Sequence, residues 1–303
     1  MVQPTDKSPD IAVLTDPEVD RGRLAPDWSA HRLPVATIDE LEEGRASRSH
    51  ENLASVIVLD GDDRLVSRAV TLYRRHFRGR ERPLRCLPLH TGRFKTVASA
   101  VGAPKSLPRL AERLATDDSI KWSERRIPTL RVTSSARSAP VWGFSAGGGL
   151  FFRLFETYYR SAGGGIAGLG AAVGELLKGM TSSGGGGRLE PVSARVSVDY
   201  EPWGDRLGYL LASTLDASWL GLPFEAGSPM GWMAGESAQQ LAKKLAGSAA
   251  LPKFMRSSAA EEGRRIHVDS TGGFVVDGTL YDPGEPHVLQ LRSEHRVTFV
   301  TPD

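Results

Sequence analysis

Two unbroken apolar runs mark the first half of the chain, Ile11 to Leu14 and Val56 to Leu59. Each stops abruptly at acidic residues, the first at Thr15-Asp16-Pro17 and the second at Asp60-Gly61-Asp62-Asp63-Arg64. Val56 to Leu59 reads as a strand buried on two faces, the pattern of a parallel sheet, and Ile11 to Leu14 as a first strand and its turn. A third run, Leu84 to Leu89, leads into the loop Thr91-Gly92-Arg93-Phe94-Lys95. Helical spacing separates these runs. Thr37, Asp39 and Glu40 open a segment over Ile38 to Glu43 with a cap-type residue and acidic residues. Leu65, Val66, Ala69, Val70, Leu72 and Tyr73 form one face of a helix over Leu65 to Phe77. A helix over Thr96 to Val101 follows the third run, and Pro104 and Pro108 break the chain before a short helix over Leu110 to Leu114. Repeated strand, loop and helix predict a parallel sheet whose strand ends carry ligand loops.

Beyond Trp122 the pattern changes, and a domain boundary is placed near Ser123 to Ile127. Strand signals then dominate: Thr129 to Val132, Val141 to Phe144, the alternating Ala194 to Tyr200, Leu207 to Leu215, Arg265 to Asp269, Phe274 to Asp277 and Arg296 to Val300. Two helical segments interrupt them. One carries Leu150, Phe151, Leu154, Phe155 and Tyr158, a stripe that reads as core or as a slot for an acyl chain; the other carries Ile166, Leu169, Val173, Leu176, Leu177 and Met180. Glycine clusters at 147–149, 163–165 and 184–187 flank them and predict mobile helices. The expected architecture is α/β plus β: a polar tail over 1–9, an α/β nucleotide-binding-type domain with a parallel sheet over 10–125, and a β-rich domain with inserted helices over 126–303. The last strand, 296–300, is expected to pack back on the first domain.

Composition narrows this picture. At 303 residues, 40% hydrophobic and 24% charged, the chain has the make-up of a soluble globular protein of two domains, with no apolar stretch long enough for a bilayer. The polar start lacks the pattern of a secretory signal, so the expectation is cytoplasmic. The single cysteine, Cys86, lies inside an apolar run and reads as core. A net charge of +2 implies no polyanionic partner, and no nucleic-acid reading pattern accompanies it. Charge does cluster locally: Arg74, Arg75, Arg78, Arg80, Arg82 and Arg85 fall close together. They read as a solvated helix end or as a basic patch, led by Arg74, Arg75 and Arg78, for peripheral contact with anionic lipid at the inner face of the membrane.

Thr91 to Gly102, with the sequence Thr-Gly-Arg-Phe-Lys-Thr-Val-Ala-Ser-Ala-Val-Gly, resembles without a gap the loop and helix Gly-Gly-Thr-Met-Asn-Thr-Val-Ala-Arg-Ser-Leu-Gly of the bacterial diacylglycerol kinase family. Asp60 to Arg64 resembles the nucleotide loop Gly-Gly-Asp-Gly-Thr of that family. Pro128 to Val132, the glycine-rich turn before Leu150, Phe155 to Tyr159, Val276 to Tyr281 and Val297 to Pro302 fall in the family's order. The resemblance implies ATP and Mg²⁺ as cofactors and a lipid or other hydroxyl-bearing substrate. It places Asp60, Gly61, Asp62, Asp63, Arg64, Thr91, Gly92, Arg93 and Lys95 at the nucleotide, Asp62 at the metal, and Asp62 and Asp277 in catalysis. Glycines are needed there because a Cβ blocks close approach of backbone N–H groups to phosphate.

This chain departs from that pattern where the chemistry is most demanding. Asp60 and Asp63 stand for glycines, Arg64 and Arg93 for threonines, Lys95 for an asparagine, and Thr279 for the glutamate expected as general base. A threonine hydroxyl does not accept a proton near neutral pH, which leaves Asp277 and Asp282 as the nearby carboxylates. Three readings follow. One is an ATP-dependent kinase of a lipid hydroxyl. The second is a catalytically silent binding or regulatory module, and the third is a protein for another phosphate donor or a phosphorylated ligand, anchored by Arg64, Arg93 and Lys95.

Overall fold

The computed structural model describes residues 11–18, 26–46, 55–76, 84–117, 119–160, 168, 171–176, 190–219, 222–224, 230–237 and 261–303. The chain divides into two compact units, one of Met1–Ile127 with Arg296–Asp303, the other of Pro128–His295.

In the first unit the strands are β1 (Ile11–Thr15), β2 (Val35–Thr37), β3 (Val56–Asp60) and β4 (Arg85–Pro88), joined by the C-terminal end of the chain's last strand. The order is β2-β1-β3-β4, and Thr298 and Phe299 pair in parallel with Arg85 and Cys86. Each of these pairings is parallel. Parallel strands covered on both faces must be apolar throughout, and Val13, Leu14 and Val56 to Leu59 are fully buried. The helices are α1 (Ile38–Glu42), α2 (Asp63–His76), α3 (Thr96–Val101) and α4 (Leu107–Thr116). Thr37 and Glu40 close a reciprocal capping box on α1, with Glu40 N–H donating to Thr37 Oγ1 at 3.2 Å and Thr37 N–H to Glu40 Oε2 at 2.8 Å. The α2 helix begins two residues earlier than its apolar periodicity suggests, at Asp63, because acidic residues favour a first turn. Cys86 is buried in β4, and burial pushes its thiol well above the ordinary range.

The chain enters the second unit within β5 (Trp122–Ser134), which pairs with β6 (Val141–Gly143), and continues through β7 (Ser145–Gly149) and α5 (Leu150–Arg160). Then follow β8 (Val192–Val198), β9 (Glu201–Leu207), β10 (Tyr209–Ser213), β11 (Ala217–Trp219), β12 (Leu222–Phe224) and β13 (Gly231–Gly235). The remaining strands are β14 (Glu261–Glu262), β15 (Arg265–Ser270), β16 (Phe274–Val276), β17 (Thr279–Tyr281) and β18 (His287–Pro302). One antiparallel sheet joins the first half of β18 to β15, β8 and β9; another has the order β14-β13-β10-β7-β16-β17. Their facing sides share a core that includes Leu130, Val196, Leu210, Trp232, Ile266, Phe274 and Leu291.

Two local expectations change, and one of two alternatives is decided. The run Leu207 to Leu215 is not one strand, because β9 ends at Leu207 and Gly208 separates it from β10. Gly147 to Gly149 is no flexible flank but the end of β7, a central strand paired on both sides with β10 and β16. A Cβ on Gly147 would stand 2.9 Å from Phe151 Cβ, so the small residues let α5 lie close on the sheet. The aromatic stripe of α5 is core: Leu150, Phe151, Leu154, Phe155 and Tyr158 are all buried. Of the second helical segment, residues 171–176 are helical, while Ile166, Leu169, Leu177, Met180 and the glycine clusters at 163–165 and 184–187 lie outside the described residues.

Candidate functional site

The parallel sheet brings the C-terminal ends of β1, β3 and β4 to one edge, and with them Asp16, the loop after Asp60 and the loop after Leu89. The two loops are laced together. Leu89 N–H donates to Leu59 O at 3.0 Å, Thr91 Oγ1 to Gly61 O at 3.2 Å, and Asp63 N–H to Phe94 O at 3.0 Å. Nine residues expected at the nucleotide from the sequence therefore do gather in one place, with different tasks.

Asp60 is fully buried, and its Oδ2 accepts the indole N–H of buried Trp28 at 2.7 Å. A buried indole needs an acceptor, so this carboxylate serves packing; Trp28 was the one sequence signal that could have pointed to it. Gly61 has a packing reason of its own, since an added Cβ would lie 2.6 Å from Leu65 Cδ2 and 2.9 Å from Leu65 Cβ. Asp62, 1% exposed, caps α2: its Oδ1 accepts Arg64 N–H at 3.1 Å, and its backbone carbonyl accepts Leu65 N–H at 3.0 Å. Arg64 Nε also donates to both Asp62 oxygens, at 3.3 and 3.2 Å. Burial pushes the Asp62 carboxyl up, Arg64 opposes the shift, and nearby Asp16 adds to it.

Asp63 has the most consequential position. Its Oδ2 accepts Thr96 N–H at 2.8 Å and its Oδ1 accepts Val97 N–H at 3.0 Å, so its carboxylate caps α3 from 33 and 34 positions upstream. Lys95 stands at the N-cap position of α3 and makes no capping bond with its own side chain. Burial pushes the Asp63 carboxyl up to about 6, against the two amide donors and with help from the neighbouring Asp62 charge. Gly92 takes a left-handed conformation, φ 72°, which turns the second loop; Arg93 and Lys95 are exposed on it. His90 lies beside the loop with Nε2 3.0 Å from Ala103 O, and burial lowers its pKa.

Asp16 is buried, holds Glu18 N–H at 3.0 Å and lies 4.0 Å from Arg68, which also pairs with Asp39 and Glu42. Among the described residues no group of three or more His, Cys, Asp or Glu gathers as a metal site. At the end of α2, Arg74 donates to Arg296 O at 3.1 Å; Arg78, Arg80 and Arg82 lie outside the described residues.

In the second unit, Asp277 and Gly278 form the two-residue turn between β16 and β17, with φ 44° and 85°, the signs of a type I′ hairpin. The Asp277 carboxylate reaches back across the fold: Oδ2 accepts Phe144 N–H and Oδ1 accepts Ser145 N–H, both at 2.8 Å. Tyr159 hydroxyl donates to Gly278 O at 2.8 Å and ties the turn to α5. Thr279 begins β17, and Asp282 is engaged by Gly284 N–H at 3.2 Å.

The protein thus consists of a parallel α/β unit with loops gathered at its strand ends and a β-rich antiparallel unit. No family model matches the sequence, and no curated protein matches it. Solved structures do. A protein of Bacillus anthracis str. Sterne assigned as a diacylglycerol kinase aligns over 96% of this chain and 96% of its own, with 12% identity and a TM-score of 0.62. A second structure described in the same way covers the same shares at 12% identity and a TM-score of 0.60, and a third gives 10% and 0.54. This chain has the diacylglycerol kinase fold.

Proposed function

We propose that this chain is a non-catalytic binding or regulatory module built on the diacylglycerol kinase fold, its nucleotide loops closed by its own carboxylates. The observation that carries this reading is the pair of bonds from Thr96 and Val97 to Asp63. Backbone N–H groups at a helix start are the donors a phosphate would use. Here an aspartate fills them in place of the glycine of the resembled loop. Asp62 takes the Arg64 amide in the same way at α2. A triphosphate does not fit this arrangement, since it would have to displace one buried carboxylate and pass a second of like charge.

Two departures from the resembled pattern also account for each other. An asparagine is a strong N-cap residue, whereas lysine has no acceptor. With Lys95 in that place α3 needs another cap, and Asp63 supplies it. The two replacements thus act as one coupled change, which is how a structural role is preserved after a catalytic one is given up.

A second reading, an ATP-dependent kinase of a lipid hydroxyl, is favoured by the left-handed Gly92 and the retained Asp62. Titration calorimetry with Mg-ATP at millimolar concentration separates the two. The module reading expects no heat of binding and no transfer of phosphate to diacylglycerol; saturable binding with transfer would establish the kinase.

A further inference from the structure

We propose that the second unit carries a binding site for a small zwitterion, in the cavity between the β5–β6 turn and the segment after β17, remote in sequence from the nucleotide loops. The cavity measures about 400 Å³ and is lined by Arg137, Phe274, Leu280, Tyr281, Asp282 and Glu285, among others. That size suits a compact ligand, and aromatic walls with a few fixed polar groups are what such sites present.

The aromatic part is firmly built. Phe274 is 2% exposed and stacks on Tyr281, with ring centroids 5.0 Å apart and planes 14° from parallel. The guanidinium carbon of Arg137 lies 4.6 Å from the centroid of the Tyr281 ring, within reach of cation–π attraction. A guanidinium carries five N–H donors, and those not turned to the ring can take a carboxylate or phosphate bidentately. The turn bearing Arg137 is itself tied down. Arg137 N–H donates to Ser134 O at 3.1 Å, Ser135 N–H to Val288 O at 2.9 Å, and Val288 N–H to Ser135 Oγ at 2.9 Å.

The opposite charges are placed in the same cavity without neutralising it. Asp282 accepts Gly284 N–H and Glu285 lies beyond it, and among the described residues neither carboxylate forms an ion pair with Arg137 or any other cation. A cavity that sets one exposed cation beside two exposed carboxylates, with no ion pair between them among the described residues, is complementary to a ligand with an anionic group for Arg137 and an ammonium for Asp282 and Glu285. A simple anion would meet repulsion from the two carboxylates, and a simple cation would leave Arg137 unmatched.

The test is calorimetry of the full chain with glycine and with phosphoethanolamine, beside acetate, ethylamine and vesicles of phosphatidylethanolamine. Saturable binding of a free zwitterion, weakened about tenfold or more by Arg137→Ala and also by Asp282→Asn with Glu285→Gln, supports the site. Binding confined to the vesicles, with the same dependence on Arg137, assigns the zwitterion to a lipid headgroup. No heat with any zwitterion at about 10 mM, or equal binding of acetate, overturns the proposal. Circular dichroism of each variant guards against misfolding, and Arg137→Lys, which keeps the charge but loses the flat fork, is expected to bind at an intermediate level.

Discussion

Asp63 and Val97 lie 34 positions apart, yet the carboxylate of the first accepts the backbone N–H of the second at 3.0 Å. One side chain thereby ties the start of one helix to the start of the next.

The coupling with Lys95 makes a double-mutant cycle informative. Loss of an N-cap side chain costs about 0.5–2 kcal/mol, so Asp63→Ala is expected to lower urea stability by that order. In a Lys95→Asn background, where a local cap is restored, the same substitution is expected to cost less. Equal losses in both backgrounds would mean that Asp63 does not serve as the cap of α3.

Asp63 also sets a pH dependence. Its carboxyl is displaced upward from 3.8 to about 6, so between these values the folded protein holds a proton that the unfolded chain has released. Protonation thus favours the folded state, and this residue makes the protein less stable as pH rises through that window, by a penalty on the order of 3 kcal/mol above it. Asp62 is displaced in the same direction. Thermal melts of the wild type and Asp63→Asn at about pH 5 and about pH 7.5 check the sign: the asparagine variant should show the smaller change between the two.

Gly61 is expected to resist substitution for packing reasons alone. Gly61→Ala puts a methyl against the Cβ and Cδ2 of Leu65, and crowding of this kind costs about 1–3 kcal/mol. The loss should appear in chemical denaturation without nucleotide and should diminish when Leu65 is changed to Ala, which removes Cδ2. A neutral Gly61→Ala would contradict the packing role.

Asp277→Ala removes the acceptor of two buried backbone amides, Phe144 and Ser145, and is expected to destabilise the second unit by about 1–3 kcal/mol or more. Asp277→Asn, which keeps one acceptor and tolerates the left-handed turn, should lose less. Proteolysis combined with urea titration ranks the two variants.

The basic end of α2 gives a test independent of the loops. If the module works at an anionic bilayer, vesicles containing phosphatidylserine should retain the protein at low salt, and Arg74→Ala with Arg75→Ala should reduce retention by about 1 kcal/mol per residue. Equal retention of the variant would remove this surface from the proposal.

Much of the first unit could be read along the chain because its determinants are local. Unbroken apolar runs became β1 and β3, Thr37 became an N-cap, and the spacing from Leu65 to Tyr73 became the buried face of α2. The resemblance of Thr91 to Gly102 and of Asp60 to Arg64 to the family's loops pointed to the diacylglycerol kinase fold before any distance was known. Short strands such as β2 and β17 left little trace, since three residues carry too little periodicity to register. What the sequence by itself determined was that acidic and basic residues stand in two loops where small or neutral ones would admit phosphate. Only the tertiary structure decided what those residues do. The partner of Asp60 is Trp28, that of Asp63 is a pair of amides beyond Lys95, and that of Asp277 is a pair beside β7. Hydrogen bonds act through space over about three ångströms, and folding brings together groups that the chain keeps tens of positions apart.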